Sequence, residues 1–266
     1  MTEDEGAMQL AVLSDLHLGA KDGLDRFART REAEARLLRL LGRLERSVDR
    51  IVLLGDVFET LRGLVPGRAE DELRAAMAAY PEVSRRALTD PRYRWVHGNH
   101  DAVAARALGV SEFHELELMG TRYLFFHGHQ VDRLARGSAP FSRLGVWLGG
   151  LLERTGMSVT QRLDLAERRR ATRRHARRLD APHRAHREEP APDGAAPADA
   201  AEQAVRLGRA RGADVIVNGH THQAVRRELG DQVYLNSGTC LGGQHELLLL
   251  DTRSRRFEVV VEVEED

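Results

Sequence analysis

Val96-His97-Gly98-Asn99-His100-Asp101 closes an apolar run and follows it with a glycine, an amide, an imidazole and a carboxylate. Tyr93 to His97 reads as a short buried strand, because aromatic and β-branched residues cluster there behind the Asp90-Pro91 turn. Gly98 is expected to turn the backbone sharply. Asn99 and His100 then leave the carboxyl end of a strand, where open α/β sheets place their chemistry. One such end is a modest signal, since Asn and His also cap helices and fill loops. Its weight depends on whether the chain repeats it.

The pattern recurs on both sides. Gln9 to Leu13 is an apolar strand that runs into Ser14, Asp15, Leu16 and His17, and Ile51 to Leu54 is another that stops at Gly55-Asp56. Phe113 to Leu118 and Thr121 to Phe126 read as adjacent strands joined through Met119-Gly120, the second ending in His127-Gly128-His129. Val215 to Val217 leads into Asn218, Gly219, His220, Thr221 and His222. Between these strands the apolar spacing predicts an amphipathic helix over Phe27 to Leu44, and a second over Ala69 to Leu88 that Pro81 kinks or splits. A short helix is expected over Ala102 to Leu108, ending at Gly109. From Ala224 onward the chain reads as an antiparallel set: Val225 to Leu229 and Val233 to Leu235 about Gly230-Asp231, then His245 to Leu250 and Phe257 to Val263 about Asp251 to Ser254. This alternation defines an α/β protein whose main domain comprises residues 1–132 and 203–266.

Residues 133–202 read as an insertion. It begins with an apolar helical stripe at Phe141, Leu144, Trp147, Leu148, Leu151 and Leu152, continues through the arginine run Arg162 to Arg178, and ends in a Pro- and Ala-rich connector. Net charge is −1, so the overall field favours no polyanionic partner. Lys21 is the only lysine, which makes nearly every cation a guanidinium. Cys240 is the only cysteine; an internal disulfide and any thiolate zinc cluster are excluded, and a reducing, cytoplasmic setting is the expectation. No apolar run approaches the roughly 20 residues of a membrane span, and the acidic start lacks the features of a signal peptide.

Collected, the strand ends carry Asp15, His17, Asp56, Asn99, His100, His127, His129, His220 and His222. Carboxylate and imidazole donors without thiolate suit Mn²⁺, Fe or Zn²⁺ held for catalysis. Asp56, alone on its loop, is the natural carboxylate to be shared by two cations. Such pairs, roughly 3.5 to 4 Å apart, clamp a phosphoryl group and bring bound water to a pKa of about 7, so hydrolysis at phosphorus by a bridging hydroxide is expected. His129 is left open between a ligand and a histidine outside the ligand set. His97, His114, His175, His183, His186 and His245 read as packing or solvated residues, and Cys240 as a buried small one. The Asn236 to Gly238 turn is expected to support the metal loops.

The blocks Asp15-Leu16-His17, Gly55-Asp56, Gly98-Asn99-His100-Asp101, His127-Gly128 and Gly219-His220-Thr221-His222, in that order, resemble the calcineurin-like metallophosphoesterase family. The resemblance covers the chain except the insertion. It implies a four-layered α/β/β/α sandwich, with the insertion as a helical lid, and a centre of two divalent cations, Mn²⁺ first. By position, the first cation would take Asp15, His17, Asp56 and His222, and the second Asp56, Asn99, His127 and His220. His100 would face the phosphate, stabilising charge or protonating the leaving oxygen, with Asp101 orienting it.

Asp15-Leu16-His17-Leu18-Gly19, Gly55-Asp56-Val57-Phe58-Glu59 and an insertion after His127-Gly128 further resemble the branch of UDP-2,3-diacylglucosamine pyrophosphatases. That branch commonly has arginine at the position of His100 and aspartate at that of His129. The resemblance implies a lipid-linked nucleotide substrate and peripheral membrane contact through the insertion; a nucleotide, nucleic acid or other small phosphoester is the alternative. A nucleic-acid partner is disfavoured because aromatic residues make up only 5% of the chain and no stacking platform is visible.

Overall fold

The computed structural model describes residues 6–21, 25, 27, 31–61, 68–131, 198–241 and 245–262. The expected lid, with its apolar stripe and arginine run, lies outside them, as do His175, His183 and His186.

Three strands, β1 (Gln9–Leu13), β2 (Arg50–Leu54) and β3 (Tyr93–Val96), are parallel neighbours. Parallel strands need crossovers, which α1 (Arg31–Ser47), α2 (Ala69–Ala79) and α3 (Pro81–Thr89) supply. Alternation along β1 sets the layers. Ala11 and Leu13 face a core shared with Leu37, Leu40, Leu41 and Tyr80 of the helical layer. Leu10 and Val12 face the opposite way, into a core shared with Tyr123, Phe125, Val215 and Val217 of a second sheet. The far side of that sheet, at Leu124, Phe126 and Ile216, packs on Ala201, Ala204 and Val205 of a helix. These cores stack helices, sheet, sheet and helix, the expected four-layered α/β arrangement.

The second sheet contains β4 (Phe113–Leu118), β5 (Thr121–Phe126) and β6 (Val215–Asn218), and its flanking helix is α5 (Ala198–Ala210), while α4 (Val103–Leu108) follows β3. The closing strands are β7 (Val225–Leu229), β8 (Gln232–Asn236), β9 (His245–Asp251) and β10 (Arg256–Glu262). The sheet orders are β10-β9-β1-β2-β3 and β4-β5-β6-β8-β7. Thus the closing residues are two antiparallel pairs rather than one set. β8 joins β6 in parallel, and β9 joins β1 antiparallel.

Other boundaries move for local reasons. Phe27 stays outside α1 because its N–H is taken by Asp25 Oδ1 at 2.9 Å, while its buried ring meets Tyr80 edge-on. Pro81, lacking an N–H, splits the second predicted helix at Tyr80, whose φ and ψ of −124° and 64° leave the helical region. Ala198 to Glu202, read as the end of the insertion, are the first residues of α5. Among the described residues no helix is long and apolar enough to cross a membrane.

Candidate metal centre

Because β1, β2 and β3 run in parallel, and so do β5 and β6, the loops that follow them open on one side of the two sheets. The loop backbones are tied to one another: Asp15 N–H donates to Gly55 O at 3.1 Å, His17 N–H to Asp56 O at 2.8 Å, and Gly219 N–H to His127 O at 2.9 Å. Asp15, His17, Asp56, His220 and His222 all have positive φ, between 49° and 70°. That region is costly for residues with a Cβ and persists only where surrounding contacts over-determine it. Here it turns successive side chains toward one point.

Three groups of side chains each bring their possible ligand atoms within 4.8 Å of one another: Asp15, His17 and His222; Asp56, His127 and His220; and His17, Asp56 and His100. Asp15 Oδ1 stands 3.1 Å from His222 Nε2 and 3.9 Å from the Nε2 atoms of His17 and His127. Asp56 Oδ2 stands 3.2 Å from His127 Nε2 and 3.8 Å from His17 Nε2. Yet Asp15 Oδ1, His17 Nε2 and His127 Nε2 are buried without a well-formed hydrogen bond, and so is Asn99 Oδ1. Atoms that converge without aligning on each other are spaced as ligands, since two donors about 2.1 Å from one cation stand about 3 to 3.5 Å apart. The residues present fit divalent cations.

His127 and Asp56 are held from behind. His127 Nδ1 faces Leu54 O at 2.9 Å, which places its proton there and leaves Nε2 to the site. Asp56 Oδ1 accepts His100 N–H at 2.8 Å, so Oδ2 is the oxygen that both clusters share. Gly98 keeps its place for space rather than for a turn. A Cβ there would meet Asp56 Oδ1 at 2.1 Å, and its φ is not in the left-handed region.

Electrostatics support a cation. Burial would raise Asp15 and Asp56, but the imidazoles of His222 and His127 hold the first, and those of His127 and His100 the second, well below the usual carboxylate range. Burial pushes His127 down, yet Asp56 and Asp15 lift it to about 10, so without metal a proton supplies the positive charge the carboxylates demand. His129 is held at about 3 by burial and by His127 and His220. Its ring lies 5.7 Å from that of His127 and 6.1 Å from that of His97. His97 is buried with Nδ1 3.2 Å from Gly98 O, and the His114 ring lies 5.7 Å from that of Phe125, tilted by 34°. His245 and Cys240 are buried, and burial pushes the Cys240 thiol well above its usual range.

One assignment changes. The carboxylate facing His100 is that of Glu59, whose oxygens lie 2.9 and 3.0 Å from Nδ1. Glu59 also stands 3.4 Å from His17 Nδ1. Asp101, expected to orient His100, instead accepts backbone N–H groups: Gly98 at 2.5 Å, Val57 at 2.8 Å, and more distantly Asp56 and Phe58. Four peptide donors leave that carboxylate engaged with the fold. Asp56 is therefore not alone on its loop: Glu59, three positions on, is a second acid there, and it carried no role until His100 was placed beside it.

A model of the calcineurin-like phosphoesterase family matches residues 8–224. No curated protein matches the sequence. Among solved structures, an archaeal phosphodiesterase is 14% identical with a TM-score of 0.43, over 96% of this chain and 100% of that one. The phosphoesterase Yfce from E. coli is 16% identical with a TM-score of 0.40, over 95% and 98%. A single mutant of Vps29 from Entamoeba histolytica is 14% identical with a TM-score of 0.43, over 96% and 100%.

Proposed function

The chain belongs to the calcineurin-like phosphoesterase family and is a metal-dependent phosphoester hydrolase, and we propose that it cleaves a phosphodiester or pyrophosphate bond at a centre of two divalent cations, Mn²⁺ foremost. The observation that carries this reading is Asp56 Oδ2, one buried oxygen facing His17 on one side and His127 on the other. Asp15, His17, Asp56 and His222 would hold the first cation, and Asp56, Asn99, His127 and His220 the second. Bound there, the cations supply Lewis-acid charge to the phosphoryl oxygens and acidify the attacking water.

The chain's own groups do the rest. An ionised carboxylate only accepts, so His100 Nδ1, facing Glu59, carries a proton. To act as the acid the ring must carry a second proton, on Nε2, and the Glu59 carboxylate faces the charge that proton brings. Nε2 then stabilises charge on the transferred phosphoryl group and gives its proton to the leaving oxygen. Asp101 holds the β2 and β3 loops in register so that His100 and Asp56 stay together.

For substrate, the reading is a UDP-diacylglucosamine-like lipid nucleotide, hydrolysed in the cytoplasm at the inner membrane face. Its support is the sequence of the Asp15 to Gly19 and Gly55 to Glu59 blocks and the composition of residues 133–202, where apolar positions suit acyl chains and arginines suit phosphates or anionic lipids. Product release should be measured across lipid nucleotides, free nucleotides, sugar phosphates, oligonucleotides and a chromogenic diester, with Mn²⁺ added. Turnover of the diester and, faster, of the lipid nucleotide is expected. Faster turnover of free nucleotides or oligonucleotides overturns the lipid assignment, and failure on every substrate overturns the hydrolase reading.

A further inference from the structure

Two buried serine hydroxyls stand behind the centre without a part in the chemistry above. Ser14 follows β1 in one sheet and Ser237 follows β8 in the other; both are fully buried, and their oxygens are 2.7 Å apart. Ser14 Oγ lies against Asp15 Oδ2, and an ionised carboxylate can only accept, so the Ser14 proton points there. With its one proton committed, Ser14 must accept from Ser237. The order of donation is therefore set: Ser237 to Ser14, and Ser14 to Asp15. Gly238 O, 3.2 Å from Ser14 Oγ, and Asn218 O, 3.3 Å from Ser237 Oγ, are the longer alternatives.

The consequence falls on Asp15. Its Oδ2 receives Ser14 O–H and also the His220 N–H at 3.0 Å, while Oδ1 is buried with no hydrogen bond and faces His222 Nε2. The two oxygens of one carboxylate are thus sorted, one to the protein and one to the site. Space is reserved for this arrangement, since a Cβ at Gly219 would fall 2.3 Å from Ser14 Oγ. The surrounding turn is braced as well: Asn236 Nδ2 donates to Gly219 O at 2.6 Å, and Thr239 Oγ1 to Asp15 O at 3.3 Å.

We propose that Ser14 and Ser237 are positioning residues for one of the two cations, an ordered hydroxyl relay that makes Asp15 a single-oxygen ligand through Oδ1. The proposal rests on the two-cation reading. It differs from a staple between the sheets in what it predicts, because a staple would weaken the fold, whereas the relay acts on the Asp15 cation and spares the other. Outer partners of ligating carboxylates typically matter by about 10- to 100-fold in metal affinity.

The test titrates the metal-free full-length protein with Mn²⁺ and follows unbound Mn²⁺ by electron paramagnetic resonance. Wild-type protein should bind two ions. Ser14→Ala should weaken one of them about tenfold or more and leave the second within about twofold. Ser237→Ala should weaken the same ion less, since Ser14 can still donate. The double variant should match Ser14→Ala, because Ser237 acts only through Ser14. The d–d spectrum of the Co²⁺-loaded protein should change for that site alone. Wild-type affinities in both single variants, equal weakening of the two ions, or losses that multiply in the double variant would each overturn the relay. Ser237→Ala alone keeps the test open if Ser14→Ala does not fold. Wild-type protein that binds only one ion breaks the two-cation reading, and the relay then stands or falls on whether Ser14→Ala weakens that ion. Wild-type protein that binds none overturns both.

Discussion

Glu59 and Asp101 are buried carboxylates on neighbouring loops, and each reaches across to the other's loop, yet their surroundings differ in kind. Glu59 leaves the loop after β2 to meet His100, and also His17. Asp101 leaves the loop after β3 to meet the backbone of residues 56–58, together with that of Gly98. Burial would raise both. Imidazoles hold Glu59 well below the carboxylate range, whereas Asp101 is pushed up to about 6, because burial and the neighbouring Asp56 outweigh its peptide donors and the charge of His127. A carboxylate facing titratable rings transmits charge to them; one facing fixed N–H groups shapes the chain. The first governs chemistry and the second governs structure.

The shared oxygen beside both carboxylates gives the largest test. Asp56→Asn should reduce turnover by roughly 10³-fold or more and abolish binding of paired metals, as measured by kinetics and by metal content. A variant that keeps both would remove Asp56 from the bridging position. Glu59→Gln should lower kcat by about 10²-fold with both metals retained and thermal stability little changed, because a neutral amide facing Nδ1 cannot balance the positive charge His100 needs as the acid. Loss of a metal instead would show that its contact with His17 outweighs its contact with His100. Asp101→Asn should do the reverse. An amide in place of the carboxylate turns an N–H₂ toward backbone N–H groups, costing about 1 to 3 kcal/mol. A melting temperature lowered by several degrees, with His100 chemistry intact in the folded fraction, is the expected outcome. If Asp101→Asn leaves stability unchanged and lowers kcat, the comparison fails.

The same contrast explains what could be read in advance. Strands such as Thr121 to Phe126 were legible because burial on both faces leaves a nearly continuous apolar run. The gathering of acids and imidazoles was legible because parallel strands bring their carboxyl ends together, so residues far apart in sequence needed only to follow a strand. Glu59 was not legible in its role, because its contact with His100 spans 41 positions and belongs to neither block alone. Helix α5 was missed because its first residues were read as the end of the insertion and its buried face is built largely of small residues, Ala201, Ala204 and Gly208, beside Val205. A Cβ at Gly208 would fall 2.4 Å from Ile216, so close approach, not apolar bulk, defines that interface. The closing hairpins were visible as local pairs, but the choice of sheet depends on β8 meeting β6 and β9 meeting β1, which no local pattern encodes.

A third carboxylate, in none of the possible metal-binding groups, supplies the smallest effect and a control for the first two. Glu45 accepts from Arg86 Nε and from Tyr93 O–H, each at 2.7 Å, at the edge of the helical layer. Burial would raise it, but those donors lower it below its usual value. The sign follows: a carboxyl with a depressed folded pKa contributes stability that is fully present above its unfolded value, about 4.3, and is lost as pH falls through the folded value. Glu45→Gln should therefore cost about 1 kcal/mol or less near neutral pH, given the partial exposure of the pair. Its melting temperature should converge on that of the wild type below pH of about 4, while kcat stays unchanged throughout. A difference that persists undiminished into acid would mean that packing, not charge, carries the contact, and Glu45 would no longer serve as the structural carboxylate against which Asp101 is judged.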